Sequence, residues 1–375
     1  MRARVYFVRL KAEVSGAAVM IPPMSESVPD TLVLLCRPGF EKDCSAEIID
    51  SLARTRVAAW CRAEAGTGLV EVRSGGDWDA RSALAGIRFD ELVFARDWLA
   101  GRVLEDLPVG DRIAPLLAAA RALGPFADCW LQHVDTEEGR SVGKLCTRLQ
   151  ARLEGALGSE QLLARRATMR LHVLFLSGSK AFVGVSPVAN GARWSMGIPR
   201  LRLPGAPSRS AAKLEEALLY FLGDEAERLL RSGMSAVDLG AAPGGWTWIL
   251  ARRGLAVTAV DRGALSPQAQ HAGAVRHLAQ DAFPFRPAHP VDWLVCDIVD
   301  KPARVAELIE RWFLNGWCRQ AIFNLKLPMK QRYRDAALML ARIVAELEDG
   351  GGRVACTARQ LYHDREEITV WLRRI

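Results

Sequence analysis

Ala236-Val-Asp-Leu-Gly-Ala-Ala-Pro-Gly-Gly-Trp-Thr247 decides how this chain reads. An apolar strand ends there in a glycine-rich turn that opens a helix. Gly240, Gly244 and Gly245 have no Cβ, so the turn can take up positive φ and let a ligand lie against the main chain. The spacing is not G-x-G-x-x-G, and the lysine of a phosphate-binding loop is missing, which counts against a dinucleotide or a nucleoside triphosphate. Asp261 ends the next apolar run, about twenty residues on, where a carboxylate can accept both ribose hydroxyls of an adenosine. Asp281 follows the third run, within reach of an adenine amino group. Acids at successive strand ends are hard to assign as helix caps. S-adenosylmethionine is the cofactor that fits.

Outward from that turn, apolar runs at Ser235–Leu239, Ala256–Val260, Ala274–Leu278, Trp293–Cys296 and Ala321–Leu325 alternate with helical spacing. This predicts an α/β domain over 204–375, with a mostly parallel sheet, both faces covered, and ligands at the carboxyl ends of the strands. Arg353–Thr357 and Ile368–Leu372 are close enough to pair antiparallel at one edge. The Pro/Gly-rich stretch Gly197–Pro207 marks the main boundary.

Before it the chain reads as two α+β units, 31–105 and 106–203. The first has strands at Thr31–Leu35, Val57–Cys61, Gly68–Val72 and Glu91–Ala95, with helices at Gly39–Leu52 and Asp77–Leu84. The second has helices at Ile113–Leu123 and Ser141–Leu157, with strands at Ala127–His133, Thr168–Leu176 and Ala181–Val185. Residues 1–30 read as an extension outside the fold, and Met24 as a candidate start.

At 375 residues, half of them hydrophobic, the chain is too long for one ordinary core. No uncharged apolar run reaches the roughly 18–20 residues of a membrane span. Arg2, Arg4, Arg9, Lys11 and Glu13 interrupt the uncharged core that a secretory signal needs. The eight cysteines form no C-x-x-C pair, so they read as reduced thiols of a cytoplasmic protein with no metal site. Net charge is +7, unevenly spread: Gln161–Leu214 holds nine cations (Arg165, Arg166, Arg170, Lys180, Arg193, Arg200, Arg202, Arg209, Lys213) and no acid. Such a stretch is a candidate phosphate footprint.

Asp238-Leu-Gly-Ala-Ala-Pro-Gly-Gly-Trp246 resembles the cofactor motif of the heat-shock-type ribose 2'-O-methyltransferases. Leu34-Leu-Cys-Arg-Pro-Gly-Phe-Glu-Lys42, Met196-Gly-Ile-Pro-Arg-Leu201, Pro207-Ser-Arg-Ser210, Ile322-Phe-Asn-Leu-Lys-Leu-Pro-Met-Lys330 and Gln360-Leu-Tyr-His-Asp-Arg-Glu-Glu367 narrow this. From Thr31 to the C-terminus the chain is similar to the ribosomal RNA large subunit methyltransferase M family. The resemblance implies a Rossmann-like methyltransferase domain preceded by ferredoxin-like and THUMP units that bind RNA. It also implies 2'-O-methylation of a cytidine in 23S ribosomal RNA, or in a large-subunit precursor; a monomer is expected, and the hydropathy predicts no membrane attachment.

A ribose hydroxyl is a poor nucleophile, so its proton must be taken or the developing alkoxide stabilised while it is held in line with the methyl group. The resemblance implies a Lys-Asp-Lys-Glu set for this: Lys213, Asp297, Lys326 and Glu367, with Lys326 the proton acceptor, Asp297 also at the cofactor, and Ser210 reaching it. Ser210 also reads as a cap for the helix carrying Lys213. Lys326 ends an apolar strand, where desolvation and Lys213 would lower its pKa while Asp297 and Glu367 would raise it. Glu366 competes for the last role; Glu367, directly before the run Ile368–Val370, is preferred. Rival readings are ribose methylation of another RNA and a catalytically silent RNA-binding assembly factor. The long N-terminal region counts against compact single-domain relatives, and the intact Lys-Asp-Lys-Glu set against silence.

Overall fold

The computed structural model describes residues 29–74 and 78–375, in two units that divide between Pro199 and Arg200. The proposed extension, with Met24, falls almost wholly outside the described residues.

The first unit runs β1 (Thr31–Cys36), α1 (Glu41–Arg54), β2 (Ala59–Ala63), β3 (Leu69–Ser74), α2 (Arg81–Gly86), β4 (Ala95–Leu104), α3 (Ile113–Arg121), β5 (Cys129–His133), α4 (Glu137–Ser159), β6 (Met169–Phe175) and β7 (Ala181–Pro187). The two α+β patterns share one seven-stranded sheet, ordered β2-β3-β1-β4-β7-β6-β5, because β4 pairs antiparallel with β7. Gly101 and Gly184 face each other at that junction, where a Cβ on either would lie within 2.4 Å of the opposite backbone. Only glycine lets those strands approach. α4 begins at Thr136, whose hydroxyl accepts from Gly139 N at 3.0 Å.

The strand expected at Glu91–Ala95 is displaced: residues 89–91 form a 3-10 turn and β4 starts at Ala95. Hydropathy misplaces it because β4 buries charge. Arg96 and Asp97 lie inside, and buried Glu47 of α1 accepts from Val93 N and Phe94 N just before the strand. Asp97 opens a dry polar chain across the sheet. Gln132 Nε2 donates to it at 2.6 Å, Gln132 Oε1 meets His172 Nδ1 at 2.8 Å, and His172 Nε2 meets Ser186 Oγ at 2.7 Å. Burial pushes the Asp97 carboxyl up to about 7 and the His172 imidazole down to about 3, so the histidine is neutral.

The second unit contains α5 (Ser210–Leu222), α6 (Ala226–Leu229), β8 (Ser235–Leu239), α7 (Gly245–Ala251), β9 (Ala256–Val260), α8 (Pro267–Gln270), β10 (Val275–Leu278), β11 (Val291–Cys296), α9 (Pro302–Leu314), β12 (Cys318–Lys326), α10 (Arg332–Asp349), β13 (Val354–Arg359) and β14 (Glu367–Arg374). Its sheet is ordered β10-β9-β8-β11-β12-β14-β13. The first five strands are parallel; β14 is antiparallel to both β12 and β13, as expected for the final pair. Strand succession reverses between β8 and β11, which opens the sheet to a ligand at its carboxyl end. α5 and α7 pack one face through Leu214, Leu218, Trp246 and Ile249, which meet Trp293, Val295 and Ile322. α9 starts with Pro302 at its first turn and buries Val305, Leu308, Ile309, Trp312 and Phe313, the i, i+3, i+4, i+7, i+8 spacing of an amphipathic helix.

Candidate active site

At the carboxyl end of the parallel strands of this second sheet, three strands and one helix present their polar residues together. α5 carries Lys213 one turn from its start, and Lys213 Nζ lies 2.6 Å from Glu367 Oε1 and 3.4 Å from Asp297 Oδ1. Asp297 directly follows β11, Glu367 opens β14, and Lys326 ends β12, where it is the register partner of Glu367. Side-chain exposure of Lys213, Asp297 and Glu367 is 18%, 19% and 12%, low enough that these charges interact more strongly than surface pairs do.

Burial alone would push the Lys213 ammonium down, but Asp297, Glu367 and Asp364 outweigh it and hold it above the ordinary lysine value. Burial pushes the Asp297 carboxyl up; Lys213 and Asn324 pull against this, while Glu367 adds to it. Lys213 is therefore a fixed cation. Lys326, expected to be desolvated, is instead exposed, because β12 ends at it and the chain turns away through Leu327 and Pro328. Its ammonium makes no ion pair or hydrogen bond among the described residues. Glu366 faces outward and pairs with Arg332 at 2.9 Å, leaving Glu367 to the cluster.

The glycine turn takes the expected conformation for a different reason. Gly240 and Gly244 have φ of +76° and +107°. Protein atoms already occupy their missing Cβ positions: Ile298 Cγ1 would lie 2.7 Å from a Cβ at Gly240, and Ala269 Cβ 2.2 Å from one at Gly244. A Cβ at Gly245 would lie 2.4 Å from the hydroxyls of Ser208 and Ser210. The glycines let the turn close on its own neighbours. Ser210 is the first residue of α5 and does not cap it; its hydroxyl meets that of Ser208 at 2.8 Å, and its carbonyl accepts from Trp246 Nε1 at 3.0 Å.

Asp261 follows β9, accepting from Ala242 N at 3.0 Å and Gly263 N at 2.7 Å, while Pro243 is exposed beside the turn. Asp281 accepts from Phe283 N and pairs with Arg262 at 2.6 Å. Both acids thus tie the loops they belong to onto a neighbouring loop, with further lone pairs left over.

Sequence reasoning missed three members of this neighbourhood. Asn324 Nδ2 donates to Asp297 Oδ1 at 2.7 Å, and its Oδ1 accepts from Thr369 Oγ1 at 2.8 Å. The signal was present: a polar residue inside an apolar strand, two positions before Lys326 and hence on its face. Asp364 lies 3.0 Å from the same Thr369 hydroxyl, and burial holds its carboxyl well above the ordinary range. The Thr369 hydroxyl thus shares its single proton between Asn324 Oδ1 and the Asp364 carboxyl. Asp238, in β8, accepts from the Thr247 hydroxyl at 2.6 Å through Oδ2, while buried Oδ1 has no hydrogen-bond partner among the described residues. Burial pushes this carboxyl up to about 7.

The basic stretch does not form one free surface. Arg170 is buried, donating to Asp128 at 2.6 Å and to Ala192 O while lying over the Trp130 ring; Lys180 pairs with Glu105 at 2.6 Å; Lys213 belongs to the acid cluster. Arg165, Arg166, Arg193, Arg200, Arg202 and Arg209 are exposed. No helix of the described residues is long and apolar enough to cross a membrane.

Three family models match the chain: the RlmM ferredoxin-like domain over residues 30–99, the N-terminal region of ribosomal RNA large subunit methyltransferase M over 111–187, and the FtsJ-like methyltransferase over 206–341. Ribosomal RNA large subunit methyltransferase M of Cellvibrio japonicus (strain Ueda107) is 48% identical over 345 residues, covering 91% of this chain and 99% of that protein. The protein of the same name from Pseudomonas fluorescens (strain Pf-5) is 46% identical over 349 residues, covering 92% and 98%. Among solved structures, TrmN from Thermus thermophilus aligns over 92% of this chain and 99% of its own with 17% identity and a TM-score of 0.32. With nearly half of its residues shared along nine-tenths of its length, the chain belongs to the ribosomal RNA large subunit methyltransferase M family.

Proposed function

We propose that this chain transfers the methyl group of S-adenosylmethionine to the 2'-hydroxyl of a cytidine ribose in 23S ribosomal RNA or a large-subunit precursor, as a cytoplasmic monomer. The observation that carries the reading is the Lys213 ammonium clamped between Asp297 and Glu367, with an unengaged Lys326 as the cross-strand neighbour of Glu367.

The residues present fit the cofactor. Asp238, Asp261, Asp281 and Asp297 gather acceptors around the β8 turn, one of them a buried oxygen with no partner, and a cation bearing hydroxyl and amino donors suits such a set. Ser210, Gly240, Ala242, Pro243, Gly244, Gly245, Asp261, Asp281 and Asp297 would hold it. An electrophilic methyl on a sulfonium is what the cofactor supplies when bound.

Lys213 stays protonated between its two acids. It fixes Asp297 and Glu367 in place and offers positive charge toward an oxygen that becomes more negative as its proton leaves. Lys326, with no side-chain partner among the described residues, takes the 2'-hydroxyl proton when its amine is uncharged and, being exposed, returns it to solvent. Glu367 holds Lys213 beside the end of β12 that carries Lys326, and Asn324 keeps the Asp297 carboxylate turned toward Lys213.

Residues 31–105 and 106–203, the latter read as the THUMP-like unit, are assigned to RNA binding. The exposed arginines of 161–214 support this through phosphate contact.

Transfer of labelled methyl to protein-free 23S RNA and to assembled 50S subunits, with wild type and Lys326→Ala, tests the proposal. The expected result is label on a cytidine 2'-oxygen, reduced about 100-fold or more in the variant, with cofactor affinity unchanged. Cofactor binding without labelling of either substrate removes the ribosomal assignment; undiminished labelling by Lys326→Ala removes the mechanism.

A further inference from the structure

On the far face of the β12–β14 pair from the acid cluster lies a cavity of roughly 320 Å³, between the start of α9 and the N-terminal half of α10. Leu325 and Ile368, which are register partners, line it. One step along, Lys326 and Glu367 are also partners, and their side chains emerge on the opposite face. Lys326 borders the cavity as well, so it stands where the two faces meet at the end of the sheet.

The walls are mostly apolar, with Pro302, Leu327, Pro328 and Met339 among them. The mouth keeps large apolar side chains in water: Leu338, in the lining, is 60% exposed, and Met329, next to Pro328, is 90% exposed. Asp335, from the first turn of α10, also lines the cavity. It is exposed and makes no ion pair among the described residues. The cavity therefore offers flat apolar contact, one carboxylate, a lysine at its edge, and Arg342, whose guanidinium is already paired with Glu310 at 3.2 Å. A phosphate is disfavoured by the carboxylate, and a wholly apolar ligand would leave that carboxylate facing nothing.

We propose that this cavity receives the base of the nucleotide being methylated, and that Asp335 reads its exocyclic amine. The inference rests on the ribose-methyltransferase reading above. A 2'-hydroxyl presented to Lys326 has its base one bond beyond the neighbouring ring carbon, so the base must lie beside Lys326. Stacked in a helix, the nucleotide cannot enter a cavity; splayed out, its base needs apolar contact to replace the lost stacking. Pro328, Leu327 and Met339 provide it. An ionised carboxylate accepts and cannot donate, so it matches the amino group at position 4 of cytosine and repels the carbonyl that uracil carries there.

The test compares kcat/KM for ribose methylation of a 23S RNA transcript with that of the transcript carrying uridine at the accepting position. Asp335→Asn can donate to the uridine carbonyl and is expected to lower the cytidine-over-uridine ratio about 10- to 100-fold, with cofactor Kd unchanged. Met339→Trp, which fills the cavity, is expected to lower kcat/KM on the normal transcript at least tenfold at unchanged cofactor affinity. A ratio within twofold of wild type for Asp335→Asn overturns the assignment of Asp335, and Met339→Trp at wild-type rate overturns the cavity as the base site. Wild type that methylates no ribose overturns the proposed function and this inference with it; an active wild type with an unchanged ratio overturns this inference alone.

Discussion

Replacing Lys213 by Met deletes a cation and keeps most of its stem, which isolates what the ammonium does. Its two partners are less than one-fifth exposed, so removal strands two carboxylates with little water to replace the lysine. A hydrogen bond to a charged group contributes about 1.5–3 kcal/mol, and breaking a fully buried pair costs about 3–5 kcal/mol. Residual exposure and the option of protonating one acid bring the expected loss here to about 2–3 kcal/mol near pH 8. The sign with pH follows from Asp297. Burial already raises its carboxyl and Lys213 opposes that; without the lysine it rises further. An acid raised in the folded state carries no penalty below its unfolded value and an increasing one as pH climbs through its folded value. The deficit of Lys213→Met is therefore largest at pH 8 and shrinks toward pH 4. Urea unfolding of wild type, Lys213→Met and Lys213→Arg at pH 5 and 8 measures it, with arginine restoring most of the stability. Equal deficits at the two pH values, or one below about 0.5 kcal/mol at pH 8, would refute the clamp as described.

Asp238→Asn keeps an acceptor for the Thr247 hydroxyl and removes a buried carboxyl whose value is about 7. Wild-type stability should fall as pH rises from about 4 to about 7, by on the order of 4 kcal/mol from this group, and the variant should lose that part of the slope; parallel urea stability curves would sink the assignment. Gly244→Ala places a Cβ 2.2 Å from that of Ala269 at φ +107°, and should lower stability by about 3 kcal/mol in thermal unfolding; a melting temperature within two degrees or so of wild type would show the turn to be adaptable. For RNA binding, Arg165→Ala and Arg166→Ala should each reduce the slope of log affinity against log salt by about 0.7–0.9 if that arginine meets a phosphate. Arg170→Leu should leave the slope alone while destabilising the first unit, since Arg170 is committed to Asp128 and Ala192; a slope change with Arg170→Leu would reverse this division.

Much of the second sheet was legible because its strands are short apolar runs bounded by turns, and because glycines and acids at strand ends are visible one residue at a time. Lys213, Asp297 and Glu367 meet as the motif resemblance implied. Asn324 was visible as a polar residue in an apolar strand, but its partners Asp297 and Thr369 lie on other strands, so the sequence alone did not give its role. The first sheet was harder. β4 buries Arg96 and Asp97 at its start, and its pairing with β7 depends on two glycines more than eighty residues apart, so neither hydropathy nor spacing reveals one continuous sheet where two units were expected. The acid-free stretch misled in a related way. Charge balance along a sequence is not charge balance in space: Arg170 and Lys180 find their acids, Asp128 and Glu105, outside the stretch.

The energetics of the site follow from one imbalance that no single residue displays. Asp238, Asp297 and Asp364 are all raised, each first of all by burial, and Lys213 is the lysine that answers two of the cluster's acids directly. Such a set is held together against its own repulsion, and it favours protons when nothing positive is added. A ligand carrying a sulfonium and an ammonium would supply the missing charge, so its binding should stabilise the second unit more at pH 8 than at pH 5. The same arrangement sets what Lys213 can do: the acids that keep the site ready for a cation also hold that lysine above its ordinary value, so in the proposed mechanism it serves as a fixed positive charge and the acceptor role is given to Lys326.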